Sequence, residues 1–324
     1  MISAAVDDCP TITLTKTERD DLASVAARAA ATPPRLVDDS GWVATARALS
    51  CRLPPRLNEE LRRFRHDPGP DGLILVRNLP VDDVLRATPS TPGSVERTAT
   101  REAAAQVLIT LQLGEVVAFR NEKAGALVQN VVPVPAHERQ QSNAGSTRLE
   151  MHVENAFHPH RPDLVALMCL RNDHENRAGL RIASIRRAAV LLPGLVRRVL
   201  AEPRFVTEPP PSFGGADGEA PAHPVLAGAP DDPDVRVDFS ATRPLDDDAG
   251  RALETLREAF DQVARTIVLT PGDLALVDNR LAIHGRTAFT PRYDGNDRWL
   301  YRTFVHLNHR VSRASRTGNG NVLD

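Results

Sequence analysis

Residues 149–163 read Leu-Glu-Met-His-Val-Glu-Asn-Ala-Phe-His-Pro-His-Arg-Pro-Asp, and the first six of them are predicted to form a strand. Side chains two positions apart on a strand point to the same face. The pattern therefore predicts that His152 and Glu154 present an imidazole and a carboxylate side by side. One further ligand would complete the two-His-one-carboxylate arrangement that holds non-haem iron(II) and leaves open positions opposite the protein.

A third ligand is available much later in the chain. Residues 276–286 contain His284, which is predicted to follow a strand that ends in a polar turn, at the rim of a site. An isolated His-x-Glu pair is weak support, because most such pairs are solvated strand residues or a histidine satisfied by its neighbour. A lone His284 would likewise be an ordinary histidine. His158 and His160 are expected to lie beside the site without binding metal.

A series of arginines follows His284. Arg298, fourteen residues later, is predicted to open a strand, and Arg302 follows on the same face. One guanidinium fork could take a dicarboxylic co-substrate bidentately while the second takes a substrate carboxylate. The alternative is a solvated, arginine-rich strand or a basic patch for phosphate. Without the His/Glu pair upstream, that alternative would be the better interpretation.

The composition is that of a globular protein without a strongly charged partner. The 324 residues are 41% hydrophobic and 25% charged, and 40 Lys and Arg against 42 Asp and Glu leave a net charge of −2. This balance indicates neither nucleic acid nor a membrane, and the apolar runs are too short to cross a bilayer. Three widely spaced cysteines argue against a disulfide framework, and the N-terminus shows no secretory signal, so a cytoplasmic location is predicted.

The order of predicted elements indicates one domain, 1–324, with a mostly helical part at 1–114 and a strand-rich part at 115–324. Several short strands favour a sandwich or barrel, and the proline-rich loop at about 207–223 is predicted to form a lid. Helices are predicted from Thr17 to the residue before Pro33, from near Trp42, after Pro55, and at 94–113, 186–200 and 245–267. Strands are predicted at 72–77, 116–120, 126–132, 149–154, 164–170, 181–185, 236–239, 273–278 and 299–307.

Motifs along nearly the whole chain match one known family. They include the His152-x-Glu154 pair, Asn-Arg at 279–280, His-Gly-Arg at 284–286, and Pro-Arg-Tyr-Asp-Gly-Asn-Asp-Arg-Trp-Leu at 291–300. The sequence resembles the clavaminate-synthase-like branch of iron(II)/2-oxoglutarate oxygenases, and within it the enzymes that hydroxylate free L-asparagine at C3. Further matching segments lie at 69–72, 79–82, 122–129, 131–135, 142–147, 155–163, 177–181, 209–213, 234–238, 303–305 and 312–314.

The resemblance implies an α+β fold with a double-stranded β-helix (jelly-roll) core and flanking helices. It implies that His152, Glu154 and His284 hold Fe(II), and that Arg298 binds the distal carboxylate of 2-oxoglutarate, whose keto-acid end chelates the metal. O2 is then the second co-substrate. Glu154 favours hydroxylation, because relatives that halogenate lack this carboxylate; desaturation stays open as an outcome.

The resemblance also implies that free L-asparagine is converted into 3-hydroxyasparagine, with succinate and CO2 as co-products, in a nonribosomal peptide-synthetase pathway for an antibiotic. Arg302 would take the α-carboxylate, Glu122 the α-ammonium, and Asn143 and Asp238 the side-chain amide. The chemistry agrees, because a carboxamide needs both an acceptor and a donor, and Asp238 would repel the carboxylate of aspartate. Without the resemblance, Glu122, Asn143 and Asp238 would be ordinary loop or turn residues.

The sequence departs from the family in one contact. Many members use a threonine as a second 2-oxoglutarate contact after the His-x-Glu motif, but residues 179–183 read Gly-Leu-Arg-Ile-Ala. Thr147 or a backbone group could replace it, and Lys123, Ala124 and Val153 could alter the substrate preference. The open alternatives are free arginine, free lysine or a carrier-bound amino acid as substrate, a barrel with zinc or a non-catalytic metal, and nucleic-acid binding by the C-terminal arginines.

Overall fold

The computed structural model describes residues 9–213 and 220–324. In these residues helices and strands are mixed, which confirms the predicted α+β class. The helices are α1 (Lys16–Ala31), α2 (Ser40–Ser50), α3 (Pro55–His66), α4 (Arg101–Leu113), α5 (Ile185–Ala188), α6 (Gly194–Leu200) and α7 (Asp247–Val263). The strands are β1 (Thr11–Thr13), β2 (Leu73–Arg77), β3 (Val95–Glu96), β4 (Glu115–Phe119), β5 (Val128–Val131), β6 (Leu149–His152), β7 (Leu164–Arg171), β8 (Gly179–Ser184), β9 (Phe205–Thr207), β10 (Leu226–Ala229), β11 (Asp232–Val235), β12 (Thr242–Pro244), β13 (Arg265–Val268), β14 (Leu274–Asp278), β15 (Ala282–Arg286), β16 (Trp299–His306) and β17 (Val322–Leu323).

Most strands belong to two sheets. The larger sheet has the order β1-β2-β14-β7-β16-β4-β17, and β5 also pairs with β16 and carries β3 at its other edge. The smaller sheet has the order β13-β8-β15-β6, with antiparallel pairs throughout. Because β2 pairs with both β1 and β14, the helical N-terminal part contributes strands to the same large sheet as the rest of the chain.

Alternating side chains place a core on each face of the large sheet. On β16, Trp299 and Tyr301 pack toward the core of α1–α4, whereas Leu300 and Phe304 pack toward the small sheet. Helices α5–α7 cover the outer face of the small sheet, and Ile283 of β15 belongs to their core. The layers are therefore helices, large sheet, small sheet and helices. Every second side chain of β15 and β16 enters the space between the sheets.

The first helices agree with the sequence prediction. A reciprocal capping box between Thr15 and Glu18 starts α1, and Asp39 caps α2, so that the first N–H groups of both helices are satisfied. Helix α3 buries an apolar face formed by Leu57, Leu61 and Phe64. None of the helices in the described residues is both long and apolar enough to cross a membrane.

Three later helices differ from the prediction. The helix predicted at 94–113 starts only at α4, because β3 first pairs with β5 and Thr100 then caps α4. The helix predicted at 186–200 is broken ahead of Pro193, which lacks an N–H to continue the helical hydrogen bonds. The helix predicted at 245–267 ends with α7, and the chain continues as β13 because it pairs with β8.

Eight predicted strands coincide, within two residues at each end, with β2, β4, β5, β6, β7, β8, β14 and β16. The strand predicted at 236–239 is wrong, because the chain pairs four residues earlier as the β10–β11 hairpin. Only Asp238 of that range keeps a bridge, with His152. The short strands β1, β3, β9, β10, β12, β15 and β17 have no counterpart in the prediction.

Candidate active site

A cavity of about 780 Å³ opens between the two sheets. Side chains of β6, β15 and β16 line it, together with the loops that follow β4, β9 and β11. The eight residues predicted for the site all line this cavity: Glu122, Asn143, His152, Glu154, Asp238, His284, Arg298 and Arg302.

Two imidazoles and a carboxylate meet where β6 and β15 pair. His152 and His284 are opposite each other in that pair, and their ring centroids are 4.8 Å apart. Oε2 of Glu154 lies 3.5 Å from Nε2 of His284, and the ligand atoms of all three residues lie within 4.8 Å of one another. Two nitrogens and one oxygen in this arrangement fit a divalent transition metal with open coordination positions.

His284 does not lie at the rim of the site as predicted. It is the central residue of β15, and only 5% of its surface is exposed. The predicted polar turn precedes β15 instead of ending at the histidine, because Asn279 and Arg280 reverse the chain between β14 and β15. The histidine therefore projects from the small sheet into the cavity.

Glu154 is not on the strand that was predicted to place it. Strand β6 ends at His152, and Glu154 lies in the turn that follows, before Asn155 with a φ of 52°. Asn279 fixes the turn: its Oδ1 accepts a hydrogen bond from the Glu154 N–H at 2.8 Å, and its Nδ2 donates to the Glu154 carbonyl at 3.1 Å. The sequence motif contained Asn279, but the sequence reasoning gave it no role.

The protonation of these three residues suits metal binding. Nδ1 of His152 contacts the Glu150 carbonyl at 2.9 Å, so it carries the proton and leaves Nε2 with a lone pair. Burial lowers the pKa of His284 and favours its neutral form. Burial alone would raise the pKa of Glu154, but the Arg302 guanidinium and the two histidines outweigh it and hold that pKa below its usual range. The site therefore offers Nε2 of His152, a His284 imidazole that favours its neutral form, and one carboxylate.

We call the group formed by Glu122, Gln129, Glu154 and Arg302 the paired end of the cavity. Nη1 of Arg302 donates to Oε1 of Glu154 at 2.7 Å, and Nη2 forms an ion pair with Glu122. The Arg302 Nε–H donates to Oε1 of Gln129 at 3.1 Å. Arg302 is 6% exposed, so the acid groups that surround it compensate a buried charge.

Arg298 has a different environment, although it projects into the same cavity. It directly precedes β16 and is 5% exposed. Its guanidinium lies 5.8 Å from the centre of the Phe289 ring. No carboxylate within the described ranges forms an ion pair with it, although the charge of Asp173 acts on it from farther away. Burial lowers the pKa of Arg298. A buried cation without a direct ion pair fits the carboxylate of an incoming ligand.

Asp238 and Asn143 lie at the wall of the cavity, on separate loops. Oδ1 of Asp238 accepts hydrogen bonds from the N–H of Ser240 at 2.8 Å and from its hydroxyl at 2.6 Å. These contacts fix the carboxylate plane and leave Oδ2 to accept a hydrogen bond from a ligand. Asn143 offers an amide with both a donor and an acceptor.

Lys123 also lines the cavity, next to Glu122. Its Nζ donates to the carbonyl of Ser94 at 3.3 Å and to the carbonyl of Asn130. Burial, with a smaller contribution from the Arg302 charge, lowers the pKa of Lys123 to about 7. Lys123 is one of the residues predicted to alter the substrate preference, and the structure places it close to the paired end.

The structure describes the predicted lid except for residues 214–219. Pro209, Pro210 and Phe213 line the cavity, and the Phe213 ring packs against Phe157 with a centroid distance of 4.7 Å. His158 packs against the same aromatic rings and is not part of the three-ligand group.

The class of the protein follows from comparison with known families. Residues 70–304 match the taurine catabolism dioxygenase TauD, TfdA family, and the chain belongs to that family. It is 49% identical over 313 residues to the L-asparagine oxygenase of Streptomyces coelicolor, an alignment that covers 96% of this chain and 94% of the relative.

Two further comparisons extend this likeness. The chain is 34% identical to clavaminate synthase 2 of Streptomyces clavuligerus, with 93% of this chain and 94% of the relative covered. The crystal structure of an asparagine oxygenase in complex with Fe(II), (2S,3S)-3-hydroxyasparagine and succinate has a TM-score of 0.94, with 49% identity and coverage of 97% and 98%. These findings confirm the resemblance predicted from the sequence.

Proposed function

We propose that this protein is an iron(II)- and 2-oxoglutarate-dependent dioxygenase that hydroxylates C3 of free L-asparagine. The observation that carries the proposal is the meeting of His152, Glu154 and His284 on one wall of a cavity that also contains Arg298 and Asp238. A relative with 49% identity is an L-asparagine oxygenase. In the balanced reaction, asparagine, 2-oxoglutarate and O2 give 3-hydroxyasparagine, succinate and CO2.

The metal and the co-substrate have separate places. His152, Glu154 and His284 would hold Fe(II), which supplies the activation of O2 with 2-oxoglutarate as the reductant. Arg298 would hold the distal carboxylate of 2-oxoglutarate through its planar guanidinium. Pro209, Pro210 and Phe213 would exclude water from the loaded cavity as part of a lid.

The substrate contacts follow from charge. Arg302 would take the α-carboxylate of asparagine and Glu122 its α-ammonium, since these two groups already form an ion pair at the cavity wall. Asp238 would accept a hydrogen bond from the amide NH2 with the oxygen that Ser240 leaves open. Asn143 would contact the same amide. Aspartate is disfavoured, because its carboxylate would face that of Asp238.

The finer architecture belongs to the same proposal. The chain alternates between the small and the large sheet along β6, β7 and β8 and again along β13, β14, β15 and β16. This alternation supports a double-stranded β-helix. The pairing of β2 with β14 supports one oxygenase domain. A cytoplasmic location and the supply of hydroxyasparagine to a peptide synthetase complete the proposal.

Succinate release measured across the free amino acids tests the substrate. Asparagine is expected to give the highest kcat/KM and a product with one added oxygen atom at C3, identified by NMR. Loss of two hydrogens instead would indicate desaturation. Turnover of arginine or lysine without turnover of asparagine would contradict the substrate assignment, and no succinate with any amino acid would support a non-catalytic metal site.

Asp238→Asn tests the amide contact. The variant is expected to lower kcat/KM for asparagine roughly 10–100-fold and to raise it for aspartate, because the repulsion of a substrate carboxylate is removed. Asp248→Asn, which changes an exposed carboxylate in the first turn of α7, is the matched control and is expected to leave both values unchanged.

A further inference from the structure

A second buried arginine projects into the cavity near Arg298. Arg286 follows His284 by two positions on β15, so both side chains leave the strand on the same face. Arg286 lines the cavity, and only 4% of its surface is exposed. Arg286 belongs to the His-Gly-Arg motif at 284–286, and no role is predicted for it from the sequence.

The polar contacts of Arg286 leave its charge uncompensated. Nη2 donates to the carbonyl of Thr147 at 2.9 Å, whereas the buried Nε has no hydrogen-bond partner in the described part of the chain. Burial lowers the pKa of Arg286 to about 9, the charge of Arg298 lowers it further in the same sense, and no acidic group opposes them. A neutral carbonyl is a weak partner for a guanidinium with an open N–H.

Arg286 and Arg298 form a pair of like charges. Their guanidinium carbons lie 5.4 and 5.8 Å from the centre of the same ring, Phe289. Two cations in one dry region repel each other, and an anion that enters the cavity would relieve that repulsion. We call Arg286 and Arg298 the unpaired end of the cavity.

We propose that Arg286 is a second contact of the distal carboxylate of 2-oxoglutarate, beside Arg298. This inference rests on the proposed function. Arg286 would replace the second 2-oxoglutarate contact that a threonine makes in many family members, since residues 179–183 contain no threonine. Thr147, which the sequence offered as a replacement, does not itself line the cavity. Its carbonyl instead orients Arg286.

A purely structural role is the competing explanation. The bond from Arg286 to the Thr147 carbonyl also ties β15 to the loop that carries Asn143, so a substitution could weaken ligand binding by loosening that loop. The two roles differ in one respect: only a direct contact depends on the distal carboxylate of the ligand.

The experiment compares 2-oxoglutarate with 2-oxopentanoate, which has the same chain length but no distal carboxylate. Binding of each to the Mn(II)-loaded protein is measured calorimetrically without O2. Arg286→Gln is expected to weaken 2-oxoglutarate binding roughly 10–100-fold and to leave 2-oxopentanoate binding within about twofold, because it removes a charge-assisted hydrogen bond made only to the former. Mn(II) affinity is expected to stay unchanged.

Two variants complete the design. Arg286→Lys keeps the charge but loses the fork, so a several-fold weakening confined to 2-oxoglutarate is expected; it replaces Arg286→Gln if the latter does not fold. Arg292→Gln, an exposed arginine before β16, is the matched control and is expected to bind both ligands like the unmodified protein.

Equal weakening of both ligands would assign Arg286 to the loop and overturn the inference, and so would unchanged binding of 2-oxoglutarate. A different result would contradict the proposed function itself. In that case the unmodified protein would not prefer 2-oxoglutarate to 2-oxopentanoate at all.

Discussion

The two ends of the cavity handle buried charge in opposite ways. At the paired end, Arg302 is surrounded by the carboxylates of Glu122 and Glu154, with one Nη1 bond of 2.7 Å to Glu154. At the unpaired end, Arg286 and Arg298 share the Phe289 ring, and neither forms an ion pair with a carboxylate among residues 9–213 and 220–324. Both ends are nearly inaccessible to solvent.

The difference teaches which part of the site is complete before a ligand enters. Arg302 holds Oε1 of Glu154 and leaves Oε2 facing His284, so a candidate metal ligand is already oriented. The unpaired end bears an electrostatic cost that a carboxylate would remove. We therefore infer that the paired end stabilises the protein without ligand. The unpaired end destabilises it, and the same uncompensated charges favour the binding of an anion.

Replacing Arg302 is expected to give the largest change in stability. Arg302→Met leaves the carboxylates of Glu122 and Glu154 without their cation in a buried place, which typically costs about 3–5 kcal/mol. Urea unfolding of the metal-free protein, prepared with a chelator, measures this loss. Arg63→Met, which breaks an exposed pair with Glu59, is the control and is expected to cost less than about 1 kcal/mol.

Replacing Arg298 is expected to change stability in the opposite direction. Arg298→Met removes a buried charge that forms no ion pair in the described structure, and an apolar chain of similar length can occupy its place beside Phe289. A gain of about 2–3 kcal/mol is expected in the same unfolding experiment, together with loss of 2-oxoglutarate binding. A destabilised Arg298→Met variant would show that the more distant charge of Asp173 compensates Arg298, and the comparison of the two ends would fail.

The sequence predicted the members of this site better than their positions. The chemistry of imidazole and carboxylate is visible in residue types, so His152, Glu154 and His284 could be chosen without a structure. The turn that carries Glu154 could not be predicted, because Asn279 fixes it from 125 positions away in the sequence. Strand β15 was missed because, of its five residues Ala-Ile-His-Gly-Arg, only Ile283 is a typical strand former.

The sequence could not predict which arginine is paired with carboxylates, because this too depends on residues that are distant in the sequence. Arg286, Arg298 and Arg302 look alike in a sequence, and all three follow His284 closely. Whether a carboxylate approaches each one depends on the turn after β6 and the loop after β4, which supply Glu154 and Glu122. In contrast, the break before α6 was predictable, because Pro193 was visible in the sequence.

The smallest expected effect concerns Lys123 and the pH dependence of the paired end. With Lys123 protonated, two cations and two carboxylates balance there: Lys123, Arg302, Glu122 and Glu154. Burial lowers the pKa of Lys123 to about 7 in the folded protein, whereas the unfolded chain keeps an ordinary lysine. From pH 7 upward the unfolded state therefore binds more protons than the folded state, and stability rises with pH by at most about 1.4 kcal/mol per pH unit.

Lys123→Met tests this linkage. The variant loses the hydrogen bonds to the Ser94 and Asn130 carbonyls, which lowers stability at every pH, but it also loses the titrating group. Urea unfolding between pH 7 and pH 9 is therefore expected to give a flatter pH dependence for the variant, by about 1 kcal/mol per pH unit. Parallel curves for the two proteins would mean that Lys123 stays protonated throughout. The carboxylates of Glu122 and Glu154 would then stabilise the lysine charge, and the paired end would be balanced over the whole pH range.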